Sequence, residues 1–430
     1  MQLPESHPLR QELHNEVHAR PPVSLQIPAQ LSYLALLSEP ANAPGEREHL
    51  AALCARYGKP GPDAKANHYI VNLGPFRLQW ERHAEFARYQ VITEGKPGDP
   101  FSNAPIDLLP PEWLSGLTGC TLVSTHVAML PAVGDLDYGE LSRRHFSGNT
   151  LIGSMVGEGA AIALTDLRIQ TDGSSRLLIF DNHLTQRQAG RTAQRLLEID
   201  TYRMMALLAL PVARQLNPFL AESERELAEI TTLMQAGPRE DPALLERLTK
   251  LQAAIESRYA DHHYRFSAAA AYYDLVQRRI GELREERLAG LQTFREFMER
   301  RLAPAMSTCK TVSDGIEALS ERVARSTNLL STRVGMVREQ QNQKLLEEMA
   351  RRAKLQLRLQ QTVEGLSVAA ISYYVVGLVG YAAKALKSGG VPLDPELAMG
   401  IAVPIVVTLA AIGIRNLRKH LQDDAGPGEP

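Results

Sequence analysis

GLSVAAISYYVVGLVGYAA, residues 365–383, and LAMGIAVPIVVTLAAIGI, residues 397–414, are runs without a charged side chain, bracketed by Glu364 and Lys384 and by Glu396 and Arg415. At a helical rise of about 1.5 Å per residue they span roughly 27–29 Å, which matches a bilayer hydrocarbon core about 30 Å thick. The pair predicts a C-terminal two-helix transmembrane hairpin over residues 365–414, with the lipid bilayer as its partner. A buried hairpin in a soluble protein would rarely run so long without a charge and would need no charge asymmetry around it.

That asymmetry is present. Arg351, Arg352, Lys354 and Arg358 precede the first run and Arg415, Arg418 and Lys419 follow the second, whereas the link 384–396 has only Lys384 and Lys387 beside Asp394 and Glu396. Short loops rich in Lys and Arg stay in the cytoplasm, so both termini are expected there. Residues 415–430 then form a basic and afterwards flexible cytoplasmic tail.

Within the first run, Gly365, Ala369, Ser372, Val376 and Gly380 recur at spacings of three and four, a face on which small residues let helices approach closely. Tyr373 and Tyr374 sit near mid-span, where a phenolic hydroxyl in hydrocarbon lacks a partner. Either one of them faces another helix or a wet cavity, or the helix is tilted or shifted towards an interface.

Upstream, residues 185–364 have helical periodicity throughout. A helix over 185–216 with Leu196, Ile199, Met204, Leu207 and Leu208 inward is expected to end near Pro218, a second to cover 219–235, and a third to run over 242–301, softly interrupted at Gly281 and Gly290. From residue 305 the pattern continues into the first apolar run. Val312, Ile316, Leu319, Val323, Leu330 and Val337 follow a heptad-like seam, which predicts a stalk in a homo-oligomer of two to five chains. Nearer the membrane, Gln356 and Gln360 lie among the arginines; they read either as a solvated surface or as amides along a central wet axis that contact hydrated cations.

Within residues 1–184, residues 7–22 read as a short helix stopped by Pro21-Pro22, and from about residue 30 to 181 the pattern alternates with period two, as strands do. The pattern places strands at 31–37, 68–73, 76–92, 121–130, 160–169 and 176–181 and a helix at 46–57, an α+β cytoplasmic domain with a mainly antiparallel sheet. His14 and His18 have metal-gripping i, i+4 spacing, with Glu12 or Glu16 near, but no third and fourth ligand is identifiable; pinning of the N-terminus by hydrogen bonds is the stronger reading. Glu81, His83 and Glu85 alternate along a strand, a row that could bind a cation or support acid–base work, but a salt-bridged solvent face is the stronger reading. Residues 153–159 are glycine-rich without a phosphate-loop or dinucleotide order and read as a bulge or turn.

The balance of 47 basic against 49 acidic residues excludes overall attraction to nucleic acid. Cys54, Cys120 and Cys309 are widely spaced, as in a reducing compartment. Residues 1–20 lack the apolar core of a secretory signal, so insertion is expected to be directed by the C-terminal runs. No nucleophile–base pair, phosphate loop or full metal set is legible, so an enzyme is not expected and no cofactor is identified.

HPLRQELHNEVHARPP (7–22), WERHAEF (80–86), TDLR (165–168), QRLLEIDTYRMMAL (194–207) and QLRLQQTVEGLSV (356–368) resemble the bacterial family of predicted membrane-anchored proteins catalogued as domain of unknown function 3422. That resemblance covers nearly the whole chain and implies a place in the bacterial inner membrane, with no catalytic residues to carry over. The order of parts also resembles the CorA-type divalent cation transporters, pentamers whose stalk and first span line the pore. Their Gly-Met-Asn signature is absent, Gly380-Tyr381-Ala382 standing there instead, and with it goes the outer cation-selecting ring that the resemblance would imply. The expected function is a CorA-like homo-oligomeric channel or transporter for a cation, a divalent ion being the candidate, with Gly365, Ala369, Ser372, Tyr374 and Gly380 at helix contacts or the pore. The alternative is a membrane-anchored sensor or scaffold.

Overall fold

A computed structural model of the protein describes residues 6–11, 13–14, 22–95, 98–132, 134–237, 240–390 and 394–423, with residues 414 and 417–423 described by backbone alone. The chain forms two compact units, residues 1–328 and 329–430.

The first unit begins with β1 (Ala29–Leu37), α1 (Ala43–Arg56), β2 (His68–Asn72), β3 (Arg77–Arg82), β4 (Phe86–Glu94), α2 (Pro111–Ser115), β5 (Cys120–Pro131) and α3 (Tyr138–His145). It continues through β6 (Ile152–Val156), β7 (Ala161–Thr165), β8 (Ser175–Asp181), α4 (Gln186–Leu207), α5 (Ala209–Ala236), α6 (Asp241–Leu283), β9 (Glu286–Arg287) and the start of α7 (Phe294–Ser388). The strands make one sheet in the order β2-β3-β4-β1-β5-β8-β7-β6-β9. It is a mixed sheet, antiparallel at every pairing among the described residues except β5–β8.

Strand alternation gives this sheet two different faces, because successive side chains point to opposite sides. Leu78, Trp80, Tyr89 and Val91 point to one side, where Leu50, Leu53 and Cys54 of α1 and Trp113 of α2 close an apolar core. A second apolar cluster around Phe146, Leu164, Leu178 and Phe180 holds the other end of the sheet. The opposite face of β3 and β4 carries Gln79, Glu81, Arg88 and Gln90, all buried. Over it lies α4, started by a capping box in which Thr185 accepts from the Gln188 backbone and Gln188 returns a bond to Thr185.

Several boundaries differ from the sequence reading. The expected strand over 76–92 is two strands, β3 and β4, turning at residues 83–85, so Glu81, His83 and Glu85 do not share one strand face. The glycine-rich stretch is β6 followed by the turn into β7: a Cβ at Gly153 would lie 2.4 Å from Leu164 and 2.9 Å from the Ala163 carbonyl, so glycine permits this close pairing. Pro218 lies inside α5 and Pro304 inside α7, while the chain bends at Leu208. The third helix stops at Arg284, which takes the left-handed conformation, and β9 pairs with β6 before α7 begins; the strand pairing, not Gly281, ends the helix.

The heptad-like seam is filled within the chain over Val312, Ile316, Leu319 and Val323, all buried. Gly315 lies against Leu220 of α5, the Ser320 hydroxyl donates to Glu256 of α6, and Arg322 faces Glu224 of α5 at 3.9 Å. Leu330 is buried and Val337 is exposed.

The second unit holds the rest of α7 and α8 (Pro395–Asp423). Of the described helices, Phe294–Ser388 and Pro395–Gly413 are long and apolar enough to cross a membrane, as is the stretch Gln186–Ala236. That last stretch owes its composition to packing: Ala189, Ala193, Leu196, Leu197 and Ile199 of α4 are buried in the first unit.

Candidate functional site

Within the second unit, α7 and α8 meet at Gly380, where a Cβ would lie 2.5 Å from Met399 Sδ. Ser372, Gly380 and Ala383 are buried and Val376 is half-buried. On α8 the half-buried positions Met399, Ala402, Val406 and Ala410 recur at three and four, one helical face. Ser372 and Gly380 therefore serve contact within one chain, whereas Gly365 and Ala369, on the same face of α7, are exposed. The Ser372 hydroxyl is buried without a hydrogen-bond partner.

Tyr374 does not belong to that face. At about 100° per residue, Gln356, Gln360, Ser367, Tyr374 and Tyr381 lie on the side of α7 away from Ser372 and Gly380. Gln360, Ser367, Tyr374 and Tyr381 recur every seven residues, and both tyrosines are exposed, at 72% and 74%. One side of the apolar helix thus packs on α8 through small residues, and the other carries a stripe of amides and hydroxyls. The stripe was only half legible beforehand: its amides were evident, but Ser367 and Tyr381 join them only when the α8-facing side is known.

Arg351, Arg352, Lys354, Arg358 and Arg415 are exposed, as headgroup-binding residues would be. The side chains of Arg418 and Lys419 lie outside the described residues, as do Glu12, Glu16 and His18, and with them the reading of His14 and His18 as a metal pair. Among the described residues no group of three His, Cys, Asp or Glu side chains could hold a metal ion.

The first unit contains a closed charge cluster that the sequence did not disclose. Arg88 reaches Glu81 at 2.5 Å and Glu198 of α4 at 3.4 Å. Arg279 of α6 donates to Glu198 at 2.5 Å and pairs with Glu282 at 2.9 Å, and Arg195 reaches Glu282 at 3.1 Å. Gln79 and Gln194 donate to Glu81 and Glu198. Burial disfavours the Arg88 charge, yet Glu81, Tyr33 and Glu198 outweigh it and hold the proton more firmly than usual. Beside it Tyr33 donates to Thr201, which donates on to the Leu197 carbonyl, and burial pushes the Tyr33 phenol up. Glu81 is thus no solvent-face residue: it is 1% exposed, because α4, distant in sequence, covers that side of the sheet and brings Glu198 to its partner Arg88. Glu85 pairs with Arg265 at 2.9 Å. With each carboxylate matched to a guanidinium, the cluster joins the sheet, α4 and α6 and offers no reacting group.

The family profile described as protein of unknown function, DUF3422, matches residues 5–421. The chain belongs to that family. Neither a curated protein nor a solved structure matches it.

In this DUF3422 member two buried imidazoles titrate against the fold. Burial lowers the pKa of His126, opposed by Asp172 and Asp107 and aided by Arg176; burial likewise lowers that of His145, opposed by Asp99 and aided by Arg144 and Arg176. The unfolded chain then binds more protons just below pH ~6.5, so stability is complete above that value and falls as the pH drops through it. Thermal midpoints measured from pH 8 to pH 5 should decline below about 6.5, and less steeply in His145→Asn. An unchanged slope would show that His145 is not one of the groups responsible.

Proposed function

We propose that the protein is an integral membrane protein of the bacterial inner membrane, whose residues 365–414 form a transmembrane hairpin with both termini cytoplasmic. In this reading several copies surround an axis lined by α7 and conduct a cation in the manner of CorA-type transporters. The observation that carries it is the two-faced first span: α8 covers the Ser372–Gly380 side, which turns Gln356, Gln360, Ser367, Tyr374 and Tyr381 towards other copies or a wet axis. Neutral oxygens replace part of an ion's water shell without trapping it, which favours passage over storage. Selection must differ from that of CorA-type proteins, because Gly380-Tyr381-Ala382 stands in place of Gly-Met-Asn and Gly380 is engaged by Met399.

The test is ion flux into vesicles containing the purified protein, with magnesium and potassium each as the only permeant cation. Tyr374→Leu combined with Tyr381→Leu is expected to change flux by about tenfold, equivalent to ~1.4 kcal/mol in barrier height, with complex mass unchanged. Absence of flux for both cations, or a complex of one or two chains in mild detergent, sinks the transport reading. One observation favours the membrane-anchored sensor or scaffold instead: α5 and α6 already cover the α7 seam from Val312 to Val323, leaving less stalk for assembly.

A further inference from the structure

Opposite the buried charge cluster, on the other side of the sheet, a cleft of about 760 Å³ opens between β1, β5 and the segment leading to α2. At its floor stands His126, with Ser32 directly opposed to it in the β1–β5 register and buried behind it. Ser32 Oγ lies 2.9 Å from His126 Nδ1 and accepts the Ile106 backbone N–H at 3.1 Å. The Ser32 hydroxyl is 1% exposed, and Nδ1 is the acceptor within reach of its proton. Ser32 therefore donates to Nδ1, which leaves the ring hydrogen on Nε2. His126 is 7% exposed and lines the cleft, and among the described residues its one hydrogen bond is that of Nδ1 to Ser32. The result is a fixed N–H donor aimed into the cavity.

The rest of the lining restricts what can accept that hydrogen. Asp107 and Asp172 supply carboxylates, Thr121 and Ser124 hydroxyls, and Phe101 and Leu34 apolar wall, while no Lys or Arg among the described residues lines the cleft. Arg176 pairs with Asp172 at 3.1 Å, but among the described residues no ion pair offsets Asp107, so a phosphate or carboxylate beside His126 would meet the charge of Asp107, a net repulsion. A simple ammonium would suit Asp107, Asp172 being taken by Arg176 and the Ser174 N–H, but would leave the His126 N–H facing a positive charge without an acceptor. Hydroxyl groups satisfy both demands, because each donates to a carboxylate and accepts from the imidazole. The volume is in the range of pockets for small molecules.

We propose that the cleft beside His126 binds an uncharged polyhydroxylated molecule of sugar size, oriented by the Nε2–H donor and by Asp107. This makes the first unit a ligand-sensing body, whatever the membrane helices do. Ser32 is a positioning residue that sets the tautomer; it is buried behind the imidazole and does not line the cleft.

The full-length protein in detergent is titrated calorimetrically with D-glucose, with myo-inositol and with D-glucose 6-phosphate as a charged control. Saturable binding of glucose or inositol is expected, weakened at least about tenfold in His126→Phe and in Asp107→Asn, with the phosphate ester binding at least about tenfold more weakly than glucose. Asp107 is exposed and among the described residues its side chain makes no hydrogen bond or ion pair, so Asp107→Asn keeps the test valid if His126→Phe does not fold. No saturation by glucose or inositol up to roughly 20 mM, equal binding by Asp107→Asn, or tighter binding of the phosphate ester would each overturn the assignment. None of these outcomes depends on ion flux.

Discussion

Arg88→Met is expected to destabilise the first unit by ~3–5 kcal/mol, the range for removing one partner of a buried ion pair. The side chains of Arg88, Glu81 and Glu198 are all 6% exposed or less. Without Arg88, Glu198 keeps Arg279, but the nearest cation left to Glu81 is His83 at 3.8 Å. The penalty is the desolvation of that stranded carboxylate. One consequence separates this from a loss of packing. The defect should shrink in the double variant Arg88→Met with Glu81→Gln, since a neutral amide costs less to bury than an unpaired carboxylate. Thermal or denaturant unfolding of the full chain, followed by circular dichroism, measures it. A loss below about 1 kcal/mol would mean that water reaches Glu81 and that the pair behaves as a surface one.

Gly190→Ala should be comparably damaging for a steric reason. A Cβ at Gly190 would lie 1.6 Å from the Val23 carbonyl oxygen and 2.8 Å from its carbon, both backbone atoms that no rotamer change can move aside. The approach brings the segment before β1 onto α4, where the Leu25 N–H donates to the Gln186 carbonyl at 3.0 Å. Alanine forces the two apart, and overpacking of this kind costs about 1–3 kcal/mol and occasionally more. The control is Gly281→Ala. Gly281 is also helical, nothing lies within 4 Å of its would-be Cβ, and alanine there is expected to stabilise by roughly 0.5–1 kcal/mol. Opposite signs in the two melts would support close contact at residue 190; equal effects would show that helix propensity alone governs both sites.

These two sites show what could and could not be read in advance. Helices and strands were legible because their signals are local: the period-two pattern of β1 and β5 and the heptad-like run Val312 to Val323 both emerge from neighbouring residues. Boundaries were less legible where a long-range partner overrides local preference. Pro218 looked like a stop and lies inside α5, whereas the chain leaves α6 at Arg284 because β6 pairs with residues 286 and 287. The same seam that suggested association between chains is covered over Val312 to Val323 by α5 and α6, since a heptad pattern records that a face is buried but not by what.

By itself the sequence determined the α+β class, the succession of strands before helices, and two apolar runs long enough to span a bilayer, because composition and periodicity are properties of neighbouring residues. Only the tertiary structure decided which side chains meet. Ser32 and His126 are 94 residues apart, Arg88 and Glu198 are 110 apart, and Glu198 and Arg279 are 81 apart. Sheet register and helix packing bring such groups within hydrogen-bond reach, and no window of neighbouring residues encodes those distances. The faces of α7 follow the same rule: its periodicity marked a row of small residues, but only Met399 lying against Gly380 decided which side is covered and which side presents its tyrosines.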